Sequence, residues 1–289
     1  MRIECVAQTN DILGEGVIWN PADQCLYWVD AFGPFIRRLE YATGKVDSWK
    51  MPNIIGSLVF DRKQEIVAGL TSGFGKVTLD PVNVEPIVNP QPEEGIIFND
   101  GKCDRRGRYF VGTMHRDFVE GAGVLWRLDP DWTTHQVDTG ITVSNGLAWS
   151  PDDRTMYFAD TRALKVYAYD YDIETGNATN RRIFFTTDDT NGRVDGATTD
   201  TEGHYWCAMI HDGSICRYSP AGKLDRRIEI PVKHPTMCSF GGPDLDILYV
   251  VTSSRFLKPE DRPDQPLAGS TFAITGLDAK GIAEPYFAG

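Results

Sequence analysis

Val143-Ser144-Asn145-Gly146-Leu147-Ala148-Trp149-Ser150-Pro151-Asp152-Asp153-Arg154-Thr155-Met156-Tyr157-Phe158-Ala159-Asp160 reads as a strand, a polar turn and a second strand. Near the N-terminus, Glu15-Gly16-Val17-Ile18-Trp19-Asn20-Pro21 runs on to Leu26-Tyr27-Trp28-Val29-Asp30, with Gly, Trp, Pro, Tyr and Asp at the same relative offsets. Shorter copies of the pattern start at Gly56, Gly101 and Gly196, and Met237-Cys238-Ser239-Phe240-Gly241 before Leu248-Tyr249-Val250-Val251 is a degenerate sixth. Starts at 16, 56, 101, 146, 196 and 237 leave about 40–50 residues per unit, the span of a four-stranded propeller blade. The expectation is an all-β, six-bladed β-propeller with a metal site at the mouth of its central channel, residues 1–289 forming one domain. The short strand Ile3 to Ala7 is expected to close the last blade beside Ser270 to Ile274.

Composition removes several other classes. The chain has 289 residues, 41 acidic against 29 basic and a formal charge of −12. With no dense Lys/Arg run, neither nucleic acid nor an anionic membrane is expected as a partner. No apolar stretch has the length of a bilayer span or a secretory signal, so a cytoplasmic protein is expected, as a monomer or small homo-oligomer. The six cysteines stand singly without a C-x-x-C pair, and Cys25, Cys103, Cys207 and Cys238 fall in or beside strand runs, where a thiol serves as a small hydrophobe. No sustained helical period occurs.

Function is sought where the copies differ in a chemically pointed way. The residue before the repeat glycine is Glu15, Ile55, Asp100, Asn145 and Asp195, with Thr236 in the degenerate copy. Blades are related by rotation about one axis, so equivalent positions at the axis face the same channel. Converged carboxylates and an amide carbonyl form an all-oxygen site suited to Ca²⁺, Mg²⁺ or Mn²⁺. The competing explanation is local, because Asx-Gly is also a good turn dipeptide. Turn chemistry alone does not explain why Ile55 suffices in the second unit. There is no G-x-S-x-G elbow, H-E-x-x-H, P-loop or G-x-G-x-x-G after a strand. His115 and His211 follow strand ends, where active-site loops begin, and are candidate substrate contacts.

These residues carry a resemblance. Leu13-Gly14-Glu15-Gly16, Phe98-Asn99-Asp100-Gly101-Lys102, Gly112-Thr113-Met114, Ser144-Asn145-Gly146-Leu147, Val194-Asp195-Gly196, Phe240-Gly241-Gly242-Pro243-Asp244 and Gln265-Pro266-Leu267-Ala268-Gly269 occur in the order in which the SMP-30/gluconolactonase/regucalcin-like family has them. The resemblance covers essentially the whole chain. It implies a six-bladed propeller with one divalent metal at the top of the channel, its ligands carried over onto Glu15, Asn145 and Asp195. It implies that Asn99 contacts water or substrate there, with Asp100 beside it. The implied activity is hydrolysis of a sugar lactone to the aldonic acid.

On that reading the cation, one of Ca²⁺, Mg²⁺, Mn²⁺, Zn²⁺ or Fe²⁺, acts as a Lewis acid on the lactone carbonyl. Asp195 is the expected general base, with a hydroxide held by the cation as the rival nucleophile. Many family members have an Arg two residues before the Asn that matches Asn99, and here that position is Ile97. The loss of a forked donor makes one wall apolar and points to a deoxy, differently oriented or non-sugar lactone, unless Arg116 or Arg255 supplies the contact. The alternatives are a metal-dependent esterase or phosphotriesterase, since the same cation polarises P=O, and a calcium-binding regulator without turnover.

Overall fold

A computed structural model describes residues 1–289. Six antiparallel four-stranded sheets are arranged as blades. Their innermost strands are Gly14–Asn20, Ile55–Phe60, Ile96–Cys103, Ser144–Trp149, Arg193–Thr199 and Pro235–Gly241. Each packs against the next, and the sixth packs against the first, so the ring closes. The six-bladed propeller expected from the repeats is the observed fold.

Five blades are simple meanders in chain order. The last takes three strands from the C-terminal part of the chain and its outermost strand, Arg2–Ala7, from the N-terminus, paired with Thr271–Thr275. Thr236 Oγ1 adds a second tie by donating to the carbonyl oxygen of Gly14 at the seam between last and first blades. The C-terminal tail runs back across the far end, where Phe287 is fully buried and its N–H donates to Phe60 O at 2.8 Å.

The continuous apolar runs follow from burial on both faces. In Leu26-Tyr27-Trp28-Val29, Tyr27 and Val29 pack with Leu58 and Phe60 of the second blade, whereas Leu26 and Trp28 pack with Tyr249 and Val251 of the last. Period-two alternation therefore feeds two inter-blade cores rather than one core and solvent. All six cysteines are free and all but Cys5 are buried. Burial pushes the Cys238 thiol up to about 12. The only helix is a 3₁₀ segment, Pro259–Asp264, and no helix is long and apolar enough to cross a membrane.

Candidate active site

The repeat position lies within an inner strand of each blade, and in every blade the pairing register breaks there. The breaks fall between Glu15 and Ile18, Ile55 and Ser57, Phe98 and Gly101, Asn145 and Ala148, Val194 and Ala197, and Pro235 and Met237. Such a bulge bends the strand and re-aims a side chain. Gly146 sits at φ 61°, in the left-handed region, and a Cβ there would come within 2.4 Å of the Tyr205 hydroxyl. The glycine is thus required by both conformation and space, and the residue before it is turned to the channel.

Glu15, Asn145 and Asp195, from three blades, line one cavity of about 390 Å³, together with Asn99 and Ile97. That volume is within the roughly 300–1,000 Å³ usual for small-molecule sites. Glu15 and Asp195 are each 6 % exposed and Asn145 3 %. Burial, then Asp195, then Asp100 push the Glu15 carboxyl well above its ordinary value. Burial and then Asp100 do the same to Asp195. No cationic side chain compensates either group, and Asp100 Oδ1 is buried without a hydrogen-bond partner. Buried carboxylates that repel one another without a counter-charge are a poor arrangement on their own and a good one around a cation. The oxygen-only donor set fits a hard divalent ion.

Asn145 is oriented by a hydrogen-bond chain that no repeat announced. Thr161 Oγ1 donates to Val194 O at 2.7 Å, so it accepts from Asn145 Nδ2 at 2.8 Å. Asn145 Oδ1 is thereby left facing Asn99, whose Nδ2 donates to it at 3.0 Å and to Ser144 O at 2.9 Å. A carbonyl oxygen has two lone pairs, so one remains for a ligand. Asn99 has spent both amide protons, and toward a ligand it is an acceptor only. Asp30 and Asp160 pin the segments leading into the site. Asp160 accepts from the N–H groups of Thr142, Val143, Arg162 and Ala163, and Asp30 from those of Ile12, Leu13 and Gly33.

The other expected residues fall elsewhere. Ile97 joins Met114 and Val143 as an apolar wall. Asp100 is not on the cavity surface; its Oδ2 accepts the Leu147 N–H at 3.1 Å. His115 does not reach the cavity, because strand alternation gives that side to Met114. Its ring lies against Gly95, and Nδ1 accepts the Asp117 N–H at 3.1 Å. His211 stands behind Phe256, their rings 5.6 Å apart, and Phe256 rather than His211 lines the cavity. Phe32, Ile54 and Phe256 also line the cavity without having stood out in the sequence, since isolated apolar loop residues carry no periodic signal. A second group of possible ligands, Asp200, Glu202 and His204, belongs to a far turn. There Asp200 accepts two backbone N–H bonds and pairs with Arg217, which leaves it no cation to seek.

Comparison with known proteins adds to this geometry. The family description SMP-30/Gluconolactonase/LRE-like region matches residues 13–254. The chain is 33% identical to regucalcin of Danio rerio across 99% of this chain and 98% of that protein. It is equally 33% identical to 6-deoxy-6-sulfogluconolactonase of Pseudomonas putida, across 99% of each. Among solved structures it resembles regucalcin of Agrobacterium tumefaciens, described as a calcium-binding protein, with a TM-score of 0.93 at 26% identity over 98% of this chain and 96% of that one.

Proposed function

The chain belongs to the SMP-30/gluconolactonase/LRE-like family, and on that premise we propose that it is a divalent-cation-dependent lactonase that opens a sugar lactone to the aldonic acid. The observation that carries this reading is the convergence of Glu15, Asn145 and Asp195 on one cavity, where neither buried acid is paired with a cationic side chain. A relative of equal similarity across its whole length bears a lactonase name.

Glu15, Asn145 Oδ1 and Asp195 would hold the ion. When bound, it supplies Lewis-acid polarisation of the lactone carbonyl and charge stabilisation of the oxyanion. The rest is done by this chain's own groups. Ile97, Met114 and Val143 exclude water from one side of the cavity. Asn99 Oδ1 accepts a hydrogen bond from a substrate hydroxyl or from the attacking water. Asp195 takes a proton from that water as its oxygen bonds to the carbonyl carbon, and returns it to the ring oxygen as the ring C–O bond breaks. No atom or charge is left over.

A pH-indicator assay over γ- and δ-lactones, with each of the five cations added in turn, tests the proposal. Asp195→Asn is expected to lower kcat roughly 100-fold or more while the protein stays folded. Near-native turnover in that variant, with metal bound, would remove Asp195 as the base. Cation binding without any turnover would favour a calcium-binding regulator instead.

A further inference from the structure

The cavity is acidic at its floor, apolar along its walls and basic at its rim, in a chain whose net charge is −12. Arg116 and Arg255 both line it. Neither guanidinium is paired with a carboxylate, whereas Arg37, Arg108, Arg127 and Arg217 elsewhere in the protein all are. Exposed arginines often need no partner, but these two are placed. The Arg255 N–H donates to Ile12 O at 3.0 Å and Ser253 Oγ at 3.1 Å, and its guanidinium lies 3.7 Å from the centroid of the Phe32 ring, itself part of the wall. The Arg116 N–H donates to Gly95 O at 2.8 Å. A third arginine, Arg162, stacks 4.5 Å from the centroid of Phe118, another wall residue. With Arg193 and Lys233 it adds to the effect of burial in holding the His211 imidazole below its ordinary value. Beside the floor carboxylates of Glu15 and Asp195, the lining holds one further acid, Asp117, near the arginines.

A neutral polyol calls for both donors and acceptors around its hydroxyls. Guanidinium groups offer only donors, in a planar fork that matches oxyanions. Resting on the lactonase reading, we propose that the substrate is a lactone bearing an anionic substituent remote from its carbonyl, received by Arg255 and Arg116 at the rim while the carbonyl is held at the floor. The apolar span formed by Ile97, Met114 and Val143 between the two ends is where a neutral sugar would expect polar partners. Sulfonate, phosphate and carboxylate share the required chemistry.

The test compares kcat/KM for D-glucono-δ-lactone with its counterparts carrying a sulfonate, a phosphate ester or a carboxylate at the terminal carbon. At least one charged lactone is expected to exceed the neutral one by roughly 10–100-fold, the weight of one charge-assisted contact, and added NaCl should erode the preference. Arg255→Gln and Arg116→Gln should shrink that ratio mainly through KM, with partial recovery in Arg255→Lys. The arm with the largest ratio identifies the anion. A neutral lactone turned over as well as every charged one, or a preference that survives both replacements, would overturn the inference. If no lactone is opened, the lactonase reading fails. The rim is then read by calorimetry with the open-chain acids, where tighter binding of those with a charged terminus supports the inference and equal binding overturns it.

Discussion

Thr161 shows how much a single side chain outside any motif decides. Its hydroxyl proton is committed to Val194 O, so it fixes which end of the Asn145 amide faces the cavity. Thr161→Val keeps the shape and removes that constraint. Cation binding by calorimetry is expected to weaken roughly tenfold or more, as for other groups that orient a ligand, with the melting curve little changed. Unaltered affinity would mean that Asn145 is held in some other way. A second consequence at this scale concerns pH. In the cation-free protein the Glu15 and Asp195 carboxyls lie well above their ordinary values, through burial first and neighbouring acids second. The folded state then holds more protons than the unfolded chain from about pH 4 up to the raised values, and stability falls as pH climbs through that window. A bound cation compensates the ionised pair. Calcium should therefore raise Tm more at about pH 8 than at about pH 5 in calorimetric scans, and an equal gain at both would separate these carboxylates from cation binding.

At the scale of the element, the device is a bulged inner strand entered from a loop pinned by an aspartate. Asp160 alone satisfies four backbone N–H groups on both sides of the site. Asp160→Ala would leave buried donors unpaired at a cost of about 3 kcal/mol, roughly 5 °C of Tm in a chain this long. Because the same segment carries Asn145, cation affinity should fall alongside stability. Loss of one without the other would show that loop and ligand are independent. The Asp that closes both long repeat copies, Asp30 and Asp160, was visible in the sequence as a repeated letter. Its role was not, because hydrogen bonds from the preceding loop reach back 17 or 18 residues.

For the whole molecule, closure is the question, since each blade contributes at most one donor to the site and the set exists only if the ring is shut. Arg2–Ala7 is paired along its length with Thr271–Thr275. Removing the first eight residues should lower Tm and broaden a transition expected to be single and cooperative for one domain; an unchanged melting curve would count against this strand as the closure. The tail ties the far end of the channel in the same way, with Glu284 at 2.5 Å from the buried Lys102, 182 residues away. By itself the sequence determined the blade count, because each repeat must bury both faces of its strands and writes that need as continuous apolar runs at a fixed interval. It also marked Glu15, Asn145 and Asp195, which share the position before the repeat glycine, whereas Ile97 stood out only through the resemblance, as the replacement of the family's Arg. Only the tertiary structure decided that His115 and His211 stand outside the cavity, that Asp100 lies off its surface, that Thr161 orients Asn145 from behind, and that Arg116 and Arg255 line the mouth. The direction of a loop side chain depends on neighbours from other blades, and no local pattern in the chain encodes them.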